Sequence, residues 1–177
     1  MSMSLPSTVP DVSPGPSAGL PPMAWKLGHA GLIPFVLGAV LVWLVTPDAH
    51  PYAASALSAY GAVIVSFLGG IHWGLAMRMP GPAQGAATAP AQTPLEAQNG
   101  ALGTSTLVWG ITPSLLAWVG VLMPPHAGLF ILGLAIIGCY LVDRRRYPLH
   151  GVQAWLTLRF RLTAVASLCC FLGAAGS

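Results

Sequence analysis

One histidine lies inside a long apolar segment and is the residue best placed to do chemistry. His72 belongs to the run Ser66–Gly74, which reads SFLGGIHWG. An imidazole within a membrane-spanning segment is energetically unfavourable enough to indicate a functional site, because it must find polar partners away from water. It can bind a ligand, hold haem or relay a proton. The alternative is a neutral imidazole that hydrogen-bonds a neighbouring helix and serves packing alone.

Two arginines lie at the start of the last apolar segment, where Arg159 and Arg161 point to nearly opposite faces of a helix. They therefore do not both face the same neighbour. Trp155 lies one turn before Arg159 on the same face, a spacing that allows a cation–π contact. Either both arginines extend to the membrane surface, or one turns inward and binds an acid or a phosphate.

These polar and aromatic residues fall at one depth along their helices. At 1.5 Å per residue they lie roughly 7–9 Å below the helix ends on one side. The candidate ligand-binding site therefore comprises the residues that share this level: His72, Trp73, Trp109, Trp155 and Arg159. A cationic site with aromatic walls suits an anionic lipid head group, although an aromatic belt would also place tryptophans there.

Patterns typical of catalysis or metal binding are missing from the sequence. Its 4 acidic residues include no pair spaced for general acid–base work, and Asp143 is the acid placed nearest the apolar segments. No segment carries a His-x-x-x-His or Glu-x-x-His pair, and the 3 cysteines are interpreted as small apolar residues. We therefore predict no catalytic residue, no metal ligand and no cofactor.

The composition indicates what must position these residues. Of 177 residues, 55% are hydrophobic and 6% are charged, whereas soluble domains average about 25% charged residues. This excludes a soluble globular enzyme and a nucleic-acid binder. Five apolar runs each approach the roughly 20 residues needed to cross a bilayer, and backbone in hydrocarbon must be helical. The sequence predicts an all-α bundle of five transmembrane helices, at about residues 28–45, 53–77, 104–123, 127–142 and 154–175.

The basic residues predict the orientation of this bundle. All 7 lysines and arginines fall on the side of the N-terminal segment, the second loop and the fourth loop. The positive-inside rule therefore places the N-terminus inside and the C-terminus outside. Residues 1–26 are predicted to form a disordered tail rich in proline and serine, with neither a signal-peptide nor a transit-peptide pattern. Residues 27–177 form the transmembrane domain, and residues 78–103 a flexible inner loop.

Small residues and prolines predict how the helices pack. A ridge of small side chains recurs every four residues, at Ala62, Ser66, Gly70 and Gly74, and such a ridge lets a neighbouring backbone approach closely. Pro34 and Pro113 interrupt the first and third segments. Each removes one backbone hydrogen bond, so we expect a kink at both positions.

Several of these segments resemble an uncharacterised integral-membrane family that occurs in proteobacteria and includes the mitochondrial transmembrane protein 69. The resemblance covers about residues 28–172, and Gly-Gly-Ile-His-Trp-Gly is its most specific element. The motif residues correspond to Pro34, Ser66, Gly69, Gly70, His72, Trp73, Trp109, Pro113, Trp118, Trp155 and Arg159. The function of the family's shared domain is unknown. The resemblance therefore implies a bacterial inner membrane, or the mitochondrial inner membrane in a eukaryote, without implying an activity.

Three functions are compatible with these residues. The first is a non-enzymatic protein that assists the assembly or stability of a membrane complex, with a membrane-protein partner. The second is a binder or carrier of an anionic lipid or small ligand at the His72 and Arg159 level. The third is a haem protein or membrane enzyme that uses His72. The bilayer is the expected environment in each, and no nucleic acid is expected.

Overall fold

The computed structural model describes residues 20–77, 94–150 and 152–177, and every regular element in these residues is helical. In chain order the helices are α1 (Pro22–Ala30), α2 (Ile33–Leu44), α3 (His50–Met77), α4 (Pro94–Leu122), α5 (Pro125–Arg146) and α6 (Leu156–Ala175), with short 3₁₀ turns at Tyr147–His150 and Gln153–Trp155. Five stretches are long and apolar enough to cross a membrane, the first combining α1 with α2. The prediction of an all-helical, multi-pass membrane protein is confirmed.

The first span is divided where the sequence predicts an interruption. Gly31 and Leu32 separate α1 from α2, and Pro34 lies in the first turn of α2, where its missing N–H leaves no helical hydrogen bond unmade. The hydroxyl of Tyr60 on α3 donates to the Gly31 carbonyl oxygen at 2.8 Å. A side chain of α3 therefore supplies a hydrogen bond to a backbone carbonyl at the break between α1 and α2.

Helix ends differ from the predicted ones in several places. Helix α3 begins three residues before the predicted residue 53, and α4 begins at Pro94 instead of residue 104. Proline suits the first turn of a helix, so Pro51 and Pro94 extend these elements beyond their apolar cores. Residues 22–26, assigned to the tail, belong to α1. The tail up to residue 19 and loop residues 78–93 lie outside the described residues.

Helix α3 is the central element and contacts α2, α4, α5 and α6. The core around it consists of buried apolar side chains, including Phe35, Leu57, Val65, Leu129, Leu132 and Ile136. Backbones approach most closely at two glycine pairs. A Cβ on Gly69 would collide with the Gly110 carbonyl oxygen, and a Cβ on Gly128 would collide with that of Gly120. These contacts draw α3 against α4, and α4 against α5.

The predicted ridge of small residues is split between the core and the surface. Ala62 and Ser66 are half-buried, whereas Gly70 and Gly74 are exposed. A Cβ built on either exposed glycine meets no atom within 4 Å. The tight approach in this part of α3 therefore depends on Gly69, which is buried against α4, whereas the adjacent Gly70 is exposed.

The two ends of the bundle are held by different chemistry. At one end, the Trp43 Nε1 donates to the Leu172 carbonyl oxygen at 3.1 Å, and His50 Nε2 lies 2.7 Å from the Gly176 carbonyl oxygen. These bonds tie the last turn of α6 to α2 and α3.

The other end of the bundle carries the basic residues, and we call it the basic end. These residues are Lys26, the Arg144–Arg146 run and Arg161.

Neighbouring glycines of α3 provide a matched test of the close approach. We expect Gly69→Ala to lower the free energy of unfolding by about 1–3 kcal/mol, because the new methyl group collides with backbone that has no room to move. Gly70→Ala should leave it unchanged or raise it by up to about 1 kcal/mol, since alanine is the better helix former. Reversible unfolding in mixed detergent micelles measures both. Equal effects of the two substitutions would contradict the packing.

Candidate functional site

The inward-turning arginine is Arg159, and its partner is a carboxylate of the same chain. Its Nε and Nη2 donate to Asp143 Oδ2 at 2.8 Å and 2.5 Å. Arg159 is 7% exposed and Asp143 is 1% exposed. Charge-assisted hydrogen bonds of this kind are roughly twice as strong as neutral ones. The pair joins the end of α5 to the start of α6 and neutralises both charges inside the bundle.

His72 approaches the free side of the same carboxylate. Its Nε2 lies 3.4 Å from Asp143 Oδ1, and its Nδ1 lies 3.4 Å from the Leu68 carbonyl oxygen. The ring of Trp109 meets the imidazole edge to face, with centroids 6.4 Å apart. The His72 ring of α3 therefore lies beside the ion pair between α5 and α6, and the Trp109 ring of α4 packs against His72.

Tyr147 completes this group immediately after α5. It is 3% exposed, and its hydroxyl interacts electrostatically with the side chains of Asp143 and Arg159. Burial, and then the negative charge of Asp143, raise the pKa of Tyr147 to about 12. We call His72, Trp109, Asp143, Tyr147 and Arg159 the buried polar cluster.

Local structure explains why these residues meet. Asp143 and Tyr147 are four residues apart, so they share one side of the helical path. The Val152 N–H donates to the Tyr147 carbonyl oxygen at 3.0 Å, and the Trp155 N–H donates to that of Val152 at 3.1 Å. These tight turns reverse the chain within a few residues. As a result Arg159 returns to the level of Asp143.

Three atoms of the cluster keep unused hydrogen-bonding capacity. His72 Nε2, Trp109 Nε1 and Asp143 Oδ1 are buried and have no hydrogen-bond partner among the described residues. His72 Nε2 and Asp143 Oδ1 lie close to each other, but their geometry is not that of a hydrogen bond. The cluster therefore offers one acceptor and two ring nitrogens at a single place inside the bundle. In the part of the chain that the structure covers, no three metal-ligating side chains converge.

The structure brings together three of the five predicted site residues: His72, Trp109 and Arg159. Trp73 and Trp155 are each 40% exposed, and the Trp73 ring lies against Gly110. Sequence reasoning missed Asp143 and Tyr147. The available signal was the placement of Asp143 as the acid nearest the apolar segments, because a buried arginine requires a carboxylate.

Arg161 points away from the cluster, as the helix geometry predicts. Its guanidinium carbon lies 5.5 Å from the centroid of the Trp25 ring, a cation–π contact. Trp25 in turn stacks on His29, with ring centroids 5.7 Å apart. The spacing allows a cation–π contact between Arg159 and Trp155, but the cation–π contact found among the described residues is that of Arg161 with Trp25, which joins α6 to α1.

A second feature of the basic end is a groove between α4 and α5. Arg146 Nη1 donates to Thr106 Oγ1 at 3.2 Å, and its Nη2 donates to Ser105 Oγ at 3.3 Å. The groove has a volume of about 600 Å³ and is lined by Thr104, Ser105, Val108, Trp109, Thr112 and Arg146. Among the described side chains, no carboxylate lies within ion-pair distance of Arg146. We call this the Arg146 groove.

Comparison with known proteins assigns the chain to a family. A family model described as "Protein of unknown function (DUF3429)" matches residues 20–175. The chain belongs to this family. It is 39% identical over 151 residues to transmembrane protein 69 of Xenopus tropicalis, a match that covers 82% of this chain and 51% of that relative. This chain therefore spans about half the length of the relative. No solved structure matches it.

Family membership extends over the elements that form both sites. The matched residues include all of α1 to α6, so the buried polar cluster and the Arg146 groove lie inside the shared region. The resemblance inferred from the sequence motifs is thereby confirmed. The chain is a multi-pass membrane protein of a family whose function is unknown.

The ion pair predicts a characteristic pattern of stability changes. We expect Arg159→Gln to lower the free energy of unfolding by about 3–5 kcal/mol, because it leaves the Asp143 charge buried without a partner. The double variant Asp143→Asn, Arg159→Gln should recover much of this loss. Arg161→Gln, two residues away and exposed, should lose less than about 1 kcal/mol. Unfolding in mixed micelles measures all of these. Additive losses in the double variant would contradict a direct pair.

Tyr147 predicts a loss of stability at high pH. The unfolded chain ionises tyrosine near pH 10, whereas the folded chain keeps the proton until about pH 12. The contribution is therefore complete below pH 10 and is lost as the pH rises toward 12. We expect the free energy of unfolding of the wild type to fall more steeply in this range than that of Tyr147→Phe. Parallel pH profiles would contradict the assigned environment.

Proposed function

We propose that the protein binds an anionic membrane lipid at its basic end, with the phosphate of the head group in the Arg146 groove. The observation that carries this proposal is the arrangement of Arg146, which donates to two hydroxyl-bearing side chains of α4 and pairs with no described carboxylate. Binding of a head group is the role that this arrangement supports best. The role is non-enzymatic.

The contrast between two arginines supports this assignment. Arg159 lies deep in the bundle and already holds Asp143, so its charge is neutralised by the protein itself. Arg146 lies at the last turn of α5, next to Ser105 and Thr106. A planar guanidinium beside hydroxyl groups matches the oxygens of a phosphate, which accept several hydrogen bonds at once.

The charge distribution supports an orientation and a location. At the basic end, Lys26 lies in α1, the Arg144–Arg146 run forms the last turn of α5, and Arg161 lies in the second turn of α6. We propose that this end faces the cytoplasm or the mitochondrial matrix, with the N-terminus inside and the C-terminus outside. The anionic head groups of that leaflet then lie at the level of the groove. The membrane is the bacterial inner membrane, or the mitochondrial inner membrane in a eukaryote.

A specific observation also favours a role in assembling or stabilising a membrane complex. Gly70 and Gly74 are exposed on α3, and nothing lies within 4 Å of a Cβ built on either. Exposed glycines one turn apart let a partner helix approach closely. A photo-crosslinker placed at Gly74 should then capture one defined membrane protein, and a crosslinker at the exposed Leu115 of α4 should not. Capture of lipid alone at both positions would contradict this role.

Neighbouring arginines provide a matched test of lipid binding. We expect Arg146→Gln to weaken the binding of phosphatidylglycerol about tenfold, because a charge-assisted contact to the phosphate is lost. Arg145→Gln removes the same charge from an exposed position and should have a smaller effect. Native mass spectrometry of the full chain, titrated with phosphatidylglycerol or phosphatidylcholine, measures both. Equal effects of the two substitutions, or equal binding of the two lipids, would contradict the proposal.

A further inference from the structure

A second cavity lies on another side of the bundle. It has a volume of about 170 Å³ and lies among α1, α2, α3, α5 and α6. Its walls are apolar except at two residues of α6, and they include Leu27, Phe35, Phe67, Ile136, Arg159 and Thr163. It shares no lining residue with the Arg146 groove. We call it the Thr163 cavity.

Thr163 is the unusual residue of this cavity. It is 5% exposed, and its Oγ1 is buried without a hydrogen-bond partner among the described residues. A buried hydroxyl in a helix ordinarily donates to the carbonyl four residues earlier. Within the described helices, Thr112 donates in this way to the Val108 carbonyl oxygen, and Ser167 donates to that of Thr163. The Thr163 hydroxyl departs from that pattern and keeps its donor for another acceptor.

Charge selects the kind of atom that completes this hydrogen bond. Arg159 lies one turn before Thr163, on the same side of α6, and also lines the cavity. A guanidinium carries N–H donors and no acceptor, and the Thr163 hydroxyl has a proton to donate, so an acceptor oxygen is favoured over a donor. The cavity is too apolar to take a full anion in addition to Asp143. A neutral carbonyl oxygen meets both requirements.

The location and size of the cavity identify where its ligand comes from. Leu27 and Phe67 line it and are 64% and 66% exposed, so it reaches the lipid-facing surface between α1 and α3. A ligand therefore enters from the bilayer. The volume is close to that of cavities of about 150 Å³ that hold benzene. It accommodates a single ring or a few carbon atoms, not a whole lipid.

We infer that the Thr163 cavity binds the carbonyl-bearing end of a lipophilic molecule, with the Thr163 hydroxyl donating to the carbonyl oxygen. Two membrane constituents present this chemistry: an isoprenoid quinone and the acyl ester of a lipid. The two proposed sites share no lining residue, so each can fail without the other.

Substitutions at one position test this site. The purified full chain in mild detergent is titrated with decylubiquinone, methyl oleate or decylbenzene, which lacks a carbonyl, and binding is followed by native mass spectrometry. We expect at least one carbonyl probe to bind, and Thr163→Val to weaken it about fivefold, as expected for one lost hydrogen bond. Thr163→Ser retains the donor and should bind as the wild type does. Thr157→Val, at an exposed position of α6, is the matched control.

The outcomes are distinguishable. Binding of decylubiquinone alone identifies a quinone, binding of methyl oleate alone identifies an acyl ester, and binding of both shows that the carbonyl suffices. Thr163→Ala removes the same donor without adding a methyl group and replaces Thr163→Val if that variant fails to fold. Failure of both carbonyl probes overturns the inference, as does equal binding by wild type and Thr163→Val or equal binding of decylbenzene.

Discussion

The structure depends on one buried ion pair, between Asp143 and Arg159. A bilayer supplies no water to solvate either charge, so each is tolerated inside the bundle because the other is there. The hydrogen bonds of 2.8 Å and 2.5 Å between them fix the end of α5 against the start of α6. His72, Trp109 and Tyr147 are then arranged around the pair. Four of the five membrane spans therefore meet at a single polar point.

Close backbone contacts make that meeting sterically feasible. The side chains of the cluster reach one another because α3 and α4 approach at Gly69 and Gly110, where a methyl group would collide with backbone. Without a hydrophobic driving force between helices in lipid, such packing is a main source of association. The glycine contacts bring the helices together. The ion pair then fixes their register.

The arginines at the basic end contact different partners because they lie at different depths and on different helix faces. Arg159 is committed to Asp143, Arg161 lies over the Trp25 ring, and Arg146 extends toward α4 beside the hydroxyl groups of Ser105 and Thr106. We propose that the groove offers charge to the phosphate of a lipid head group. We propose that the Thr163 cavity offers a hydroxyl to a carbonyl oxygen that enters from the bilayer. The proposed sites therefore suit different parts of membrane molecules.

The sequence by itself determined that the chain lies in a lipid bilayer, that its fold is all-helical and how many spans it has. Apolar runs long enough to cross a bilayer must be helical, whatever their neighbours are. It also identified His72 and Arg159, because a polar group in an apolar run stands out without reference to structure. Helix ends were less predictable, since the prolines at residues 51 and 94 extend helices beyond the apolar runs. Loop residues 78–93 and the tail up to residue 19 lie outside the described residues.

Tertiary structure decided which polar groups meet. Helical periodicity gives the face and depth of a residue along its own helix, but not which neighbour that face meets. The pairing of Arg159 with Asp143, 16 residues away, depends on the tight turns between α5 and α6. The burial of Gly69 and the exposure of Gly70 likewise depend on where α4 lies. One sequence pattern is compatible with several arrangements of five helices, and their packing selects one of them.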